Sequence, residues 1–504
     1  MPRHRRTPHL LRAALTAAAL LLSSADVIHA QPGPGAEVEA RIRRVESGLV
    51  THNVVRGETP APLTLQERMQ YYRVPAVSVA VINDGRIEWA RAWGEAEAGS
   101  GIAADTATLF QAASISKPVA AIAALRLVEQ GRLSLDEDVN ARLTSWRVPE
   151  NEFTATEKVT LRRLLSHSAG TTVHGFPGYA AGDTVPTVVQ ILDGQAPANT
   201  RPVRVDTVPG SRWRYSGGGY TIAQLLMADV TGQPFAELMR EQVLRPAGMI
   251  HSTYAQPLPA DRAGSAAAGH SGAGTALPGK HHTYPEQAAA GLWTTPSDLA
   301  RLLIDVQRAY DGETGRVITP ETARLMLTTQ AGSYGLGFGL SGRGDSLAFQ
   351  HGGSNEGFRA FVSAQARGGR GVVIMTNGEN GQQVAMEVLR AIAREYGIPV
   401  ARPNVRDAIA MDPAALAAYA GTYARPITAE EQRPFTIELR LDDGVLRATV
   451  PAAGWEGRTL RPSAPDTFFF LENAGTLTFE RDASGAVTAV TVSGLGQPLR
   501  LVRR

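Results

Sequence analysis

Apolar Val38, Ile42, Val45 and Leu49 recur at helical spacing, so the stretch 36–50 is predicted to form a helix with one buried face. Thr64 and Glu67 make a capping-box pair and open a second predicted helix. The period then changes. Val77-Ser-Val-Ala-Val-Ile82 and Ile87-Glu-Trp-Ala-Arg-Ala-Trp93 flank Asn83-Asp84-Gly85-Arg86. An Asp-Gly turn between two strand-like runs predicts a β-hairpin. A long helix is predicted from about Ser114 to Gly131, with Pro118 in the first turn, where amide hydrogens have no helical partner, and Gly131 as C-cap. Residues 132–220 mix short helices, such as Leu161 to Leu165, with Gly- and Pro-rich loops, and 220–250 read as helical again. Residues 255–285 read as loop, and Pro296-Ser297-Asp298 starts another helix. Strand-like runs follow at Gly335 to Leu340, Ala348 to His351, Phe358 to Gln365 and Gly371 to Thr376, then a helix over 382–396.

Strands near both ends of residues 60–396, with helices between, predict an α+β domain whose sheet joins the two ends of the segment. Residues 397–413 contain Pro399, Pro403 and Pro413 and read as a linker. From 414 to 504 the pattern alternates with period two, as in Thr436 to Leu441 and Val445 to Val450 around Asp443-Gly444. A small all-β domain, barrel or sandwich, is predicted there. No repeat of 20–50 residues is present.

At the N-terminus, basic residues from Arg3 to Arg12 precede an apolar run, Ala13 to Leu22, and a small-residue site, Ile28-His29-Ala30. This is the pattern of an export signal over 1–30, too short in its apolar part to span a bilayer. A domain from 31 to 396 is then expected in the periplasm or outside the cell, without a stable membrane anchor after cleavage. A retained anchor, or a twin-arginine signal at Arg5-Arg6, are the other readings of the same residues. The leader carries four arginines against Asp26, or +3 of the formal net charge of +2, which leaves −1 for the rest. No basic stripe points to nucleic acid. The absence of cysteine excludes disulfides, thiolate metal sites, a cysteine nucleophile and a lipid-anchor cysteine. With 43% hydrophobic and 19% charged residues, the chain can bury a large core and is not disordered.

The leading chemical candidate is Ser114-Ile115-Ser116-Lys117. Residues three apart on a helix share a face, so Lys117 can reach the Ser114 hydroxyl. A serine needs such a base, and a lysine must be desolvated or set near a cation to serve as one. Tyr215-Ser216-Gly217 follows about 100 residues later, and His351-Gly352-Gly353-Ser354 ends a strand-like run, where glycines allow close approach of a substrate or another backbone.

These three motifs, in this order, resemble the penicillin-recognising serine hydrolases: class C-type serine β-lactamases, D,D-peptidases, D-aminopeptidases and β-lactamase-like carboxylesterases. Leu164-Leu-Ser-His-Ser-Ala-Gly170, Gly291-Leu-Trp-Thr-Thr-Pro-Ser-Asp-Leu-Ala300 and Tyr334-Gly-Leu-Gly337 add to the resemblance, which covers about 60–396. It implies a β-lactamase/transpeptidase-like fold, an antiparallel sheet flanked by helices, and 414–504 is similar to the lipocalin-like domains that follow some of these hydrolases. It also implies catalytic roles for Ser114 as the acylated nucleophile, Lys117 and Tyr215 as a coupled base pair, and His351 as a group orienting the network or the substrate. Gly217, Gly352, Gly353 and Ser354 would contact substrate, with the amides of Ser114 and Ser354 as oxyanion donors. No metal or organic cofactor is implied, and the partner is a small-molecule or peptide substrate.

Two departures stand out. Gly217 replaces the asparagine of Tyr-x-Asn, and His-Gly-Gly replaces Lys-Thr-Gly. A fixed cation for a substrate carboxylate is thereby lost, or made pH-dependent through His351. The expected function is an exported β-lactamase-related hydrolase of an amide, lactam or ester bond. Alternatives are a carboxylesterase, a D-amino-acid peptidase and a slowly deacylating penicillin-binding or sensor protein. His281-His282 lack the companions of a metal site and read as loop histidines. His167 reads as packing behind the site, His174 has no assigned task, and Tyr284 and Trp293 fit either the cleft or the core.

Overall fold

The structure, a computed structural model, describes residues 34–425 and 435–504. The expected export signal lies outside them. Among the described residues eighteen strands are formed. Before the barrel come β1 (Asn53–Val55), β2 (Ala76–Asn83), β3 (Arg86–Gly94), β4 (Phe110–Gln111), β5 (Trp293–Thr294), β6 (Gly339–Ser341), β7 (Ala348–Asn355), β8 (Phe358–Gln365), β9 (Gly371–Thr376) and β10 (Asn404–Arg406). The barrel strands are β11 (Gly421–Ala424), β12 (Thr436–Asp442), β13 (Val445–Val450), β14 (Trp455–Ala464), β15 (Thr467–Phe470), β16 (Thr476–Arg481), β17 (Val487–Ser493) and β18 (Leu499–Arg503). In chain order the helices that matter here are α1 (Pro34–Glu46), α2 (Leu65–Tyr72), α3 (Ser116–Glu129), α4 (Leu161–Leu165), α5 (Gly217–Thr231), α6 (Gln287–Ala290), α7 (Pro296–Tyr310) and α8 (Gly381–Glu395).

The main sheet has the order β3-β2-β9-β8-β7-β6, every pair antiparallel. Its N-terminal hairpin turns at Asp84 and Gly85, both at positive φ (51° and 68°), as the Asp-Gly pair requires. Successive side chains of a strand point to opposite faces. Val77, Val79 and Val81 therefore pack with Ile42 and Val45 of α1, Met69 of α2 and Val388 and Ile392 of α8, while Ala76, Ala80 and Ile82 join the core built on α3, α5 and α7. The sheet lies between two helical layers, and β2 is buried on both faces. The Thr64–Glu67 capping box is present at the start of α2.

The structure departs from the sequence reading in three places. The long helix begins at Ser116, and Ser114 sits in a preceding 3-10 turn, Ala113–Ile115. The run 335–340 is strand only from Gly339, because Gly337 adopts φ +101° and turns the chain against Pro118 and Ala121 of α3. The segment 397–413 is more than a spacer: its β10 pairs in parallel with β1.

The C-terminal strands close into an eight-stranded antiparallel barrel, β18 returning to β11. Its interior is filled by Tyr419, Tyr423, Phe468, Phe470, Phe479 and aliphatic residues. The barrel docks on the first domain through backbone and side chains. Asn53 donates its amide to the Leu471 carbonyl and its side-chain nitrogen to the carbonyls of Phe470 and Asn473 at 2.6 and 2.7 Å. The guanidinium of Arg458 lies over the rings of Tyr71 and Tyr72, 4.7 and 4.3 Å from their centroids.

Candidate active site

The turn holding Ser114 is fixed on every side. The β4–β5 pair leads into it, the Ala112 amide donates to the Leu292 carbonyl, and the Ser116 hydroxyl donates to the Ala113 carbonyl while accepting from the Leu292 amide. Gly353 of β7 packs so close that a Cβ there would stand 2.2 Å from the Ala112 carbonyl oxygen. The glycine thus lets the strand reach the nucleophile's turn.

Lys117 Nζ lies 2.9 Å from Ser114 Oγ and 2.8 Å from the Ala289 carbonyl of α6. The lysine is 2% exposed, and desolvation lowers its pKa from 10.5 to about 7. Its ammonium also stands 5.0 Å from the centre of the Tyr215 ring. Tyr215 precedes α5 and lines the same cleft as Ser114, with its phenol close enough for the Ser114 hydroxyl to act on its pKa. Burial raises the pKa of this phenol well above its ordinary value, with the Ser114 hydroxyl acting against that rise. Tyr215 is therefore a neutral donor at ordinary pH, and Lys117 is the group poised to accept a proton.

His351 is buried on β7, and its Nδ1 donates to the Gly352 carbonyl at 2.7 Å. Desolvation, then the Lys117 charge, lowers its pKa to about 3. It stays neutral at ordinary pH, so the pH-dependent cation expected from its replacement of lysine is not available.

Ser114, Tyr215, His351, Gly352, Gly353 and Ser354 line one cleft of about 500 Å³. Gly217 does not line it. As the first residue of α5 it is buried, and a Cβ there would meet the Phe176 ring at 2.9 Å and the His174 carbonyl at 3.1 Å. Its requirement is close packing, not substrate contact. Tyr284 and Trp293 are fully buried in the core. Among the described residues no group of three or more histidines and carboxylates could hold a metal, and His282 binds the Pro177 carbonyl instead.

The cleft also takes in His174, Trp213, Tyr334, Gln350, Phe361 and Gln382, to which the sequence assigned no role. Of these, Tyr334 lay within a segment that added to the resemblance, and Trp213 stands two residues before Tyr215. None of the lining residues is Asp, Glu, Lys or Arg. Two larger grooves, about 710 and 790 Å³, lie elsewhere, the second between the domains. No lysine, histidine or tyrosine lines either.

Residues 63–396 match the Beta-lactamase family. The chain belongs to that family. Residues 405–501 match the Domain of unknown function (DUF3471). The chain is 27% identical over 397 residues to Penicillin-binding protein 4 of Amycolatopsis lactamdurans, covering 71% of this chain and 97% of that protein. It is 20% identical over 334 residues to Protein flp of Staphylococcus aureus (strain N315), covering 62% of this chain and spanning 61% of that relative. Among solved structures, the octameric penicillin-binding protein homologue from Pyrococcus abyssi aligns with a TM-score of 0.56 at 19% identity, over 87% of this chain and 98% of that one. These structural likenesses are of fold.

In this β-lactamase-family member, the arrangement can pass a proton from Ser114 to the neutral amine of Lys117 and set the resulting alkoxide beside a carbonyl in the cleft. The Tyr215 phenol can donate to a developing negative charge or to a leaving group. The aromatic walls offer dispersion and ring contacts, without a carboxylate, ammonium or guanidinium among them.

Proposed function

We propose that the chain is an exported serine hydrolase that forms an acyl-enzyme on Ser114 and turns over uncharged esters or amides in preference to β-lactams. The observation that carries this is the 2.9 Å contact of a desolvated Lys117 with Ser114 in a cleft lined by no Asp, Glu, Lys or Arg side chain. Ser114 Oγ attacks the substrate carbonyl carbon and gives its proton to Lys117. The tetrahedral oxyanion is received by the amides of Ser114 and Ser354. Such donors are worth about 3–4 kcal/mol each in the transition state. As the carbonyl re-forms, the alcohol or amine leaves with the proton held by the Lys117–Tyr215 pair. Water then attacks the acyl carbon and gives a proton to the same pair, which passes it to Ser114 Oγ as the ester bond breaks, freeing the carboxylic acid and the serine hydroxyl.

A β-lactam or a peptide ending in D-alanine presents a carboxylate, for which this cleft has no fixed cation. A neutral acyl group against Trp213, Tyr334 and Phe361 needs none. Export is supported by the basic, apolar and small-residue order of residues 1–30.

The test is steady-state hydrolysis of a short p-nitrophenyl ester and of a chromogenic cephalosporin, with wild type and Ser114→Ala. Ester turnover that exceeds cephalosporin turnover and vanishes in the variant is expected. Activity that survives in Ser114→Ala overturns the mechanism, and a preference for the cephalosporin overturns the substrate reading. A burst of product without turnover would identify a binder that deacylates slowly.

A further inference from the structure

Residues 213–216 belong to no helix or strand, so no regular ladder fixes Tyr215. Ser216 Oγ donates to the Thr172 carbonyl and Arg214 Nη2 to the Gly170 carbonyl, but among the described residues His167 alone binds the main chain on both sides of Tyr215. The Arg214 amide donates to the His167 carbonyl at 2.8 Å, and the Ser216 amide donates to His167 Nδ1 at 3.1 Å. Both bonds flank Tyr215. The arrangement copies a strand partner, with a ring nitrogen in place of the second carbonyl. The His167 ring also lies against the Tyr215 ring, centroids 4.2 Å apart and planes 33° from each other.

We propose that His167 is a positioning residue for the acyl-transfer reaction, holding Tyr215 on Ser114 through these three contacts. The proposal rests on the reading of Ser114 as the nucleophile. His167 itself follows α4 in the left-handed region, φ +58°, which L residues rarely adopt. That turn serves to aim carbonyl and ring at the same segment. Its two neighbours are anchored: Ser166 and Ser168 share a hydroxyl hydrogen bond at 2.9 Å, and the Ser168 carbonyl accepts from the Gly210 amide.

The contact also fixes chemistry. Because Nδ1 accepts from an amide, the ring proton is on Nε2. A protonated Nδ1 would face the Ser216 N–H with no lone pair. Burial first, then the Lys117 charge, keeps the ring neutral. His167 is 2% exposed, and Tyr220 and Tyr334 pack around it at 5.3 and 4.9 Å. Simple core filling would be met equally well by phenylalanine, whereas clamping the Tyr215 segment needs the acceptor.

The experiment compares His167→Phe with His167→Asn, each alone and with Tyr215→Phe, using the p-nitrophenyl ester. Phenylalanine keeps the ring and loses the acceptor. Asparagine keeps an acceptor near the Nδ1 position. His167→Phe is expected to lower kcat by about 10- to 100-fold with KM within about twofold, and to shift the acid limb of the kcat profile. His167→Asn is expected to retain more of kcat than His167→Phe. In the Tyr215→Phe background His167→Phe should cost little more, because partners acting through one group are not additive. An unchanged kcat, or an equal loss with and without Tyr215, overturns the proposal. Should His167→Phe fail to fold, His167→Gln, whose acceptor reaches the Nε2 position instead, replaces it, and equal rates for the Asn and Gln variants overturn the proposal. Activity surviving in Ser114→Ala is a separate result and overturns the reading of the nucleophile.

Discussion

At Lys117, stability and chemistry pull against each other. The folded state lowers its pKa from 10.5 to about 7 by burying it. Between those values the unfolded chain binds the additional proton, so this residue makes stability rise with pH from about 7 to 10.5. Lys117→Met removes the penalty and the base together. We expect its Tm at pH 7 to exceed wild type by a few degrees, about 2–4 °C per kcal/mol recovered, while kcat/KM falls by at least about 100-fold. Thermal melts and ester kinetics on the same preparation check both signs. In wild type, kcat/KM should rise with pH through about 7 as Lys117 loses its proton, with no contribution from His351, already neutral there. A profile flat from pH 5 to 9 would remove Lys117 as the base. The Ser114–Lys117 pairing was legible in the sequence because a three-residue spacing survives the change from α-helix to 3-10 turn. Gly217 was not legible as a packing residue, since nothing local shows that Phe176 and the His174 carbonyl crowd it.

Strand β7 brings the third motif to the nucleophile, and Gly353 sets how close it comes. Gly353→Ala forces the Cβ against the Ala112 carbonyl, so either β7 or the Ser114 turn must move. A loss of about 1–3 kcal/mol and of about 100-fold or more in kcat is expected, read by calorimetry and ester turnover. Gly352→Ala, whose Cβ would meet open space, should leave Tm unchanged. The hairpin β2–β3, the α2 cap and most barrel strands could be read because period and turn residues agree there. Strand β14 could not: it contains Gly457 and Pro462, and its register shifts between Pro462 and Ala464, which interrupts the alternation. The parallel β1–β10 pair is invisible for another reason. Two three-residue strands far apart in sequence leave no period to detect.

The two domains meet across a charged and aromatic seam. Arg458 is 1% exposed over Tyr71 and Tyr72, and Glu472 beside it accepts from the Tyr71 hydroxyl and the Thr459 amide. The Arg458 charge, with that of Arg68, opposes the burial that raises the Glu472 pKa, so Arg458→Ala loses that support and the ring contacts together, and a loss of about 1–3 kcal/mol is expected from urea unfolding. If the domains unfold as one unit the variant shifts a single transition, and an unchanged midpoint would show that the seam contributes nothing. The order of the main sheet has a consequence during synthesis. Strand β2 leaves the ribosome early, its valines destined for one helical layer and its alanines and Ile82 for the other. Its second neighbour, β9, pairs Val77 with Thr376. Until that late segment emerges, one long edge of β2 presents unpaired peptide groups to other nascent chains, the setting in which strands add to strands. The growing polypeptide thus exposes a long, doubly buried strand early and completes its pairing only when β9 has been made.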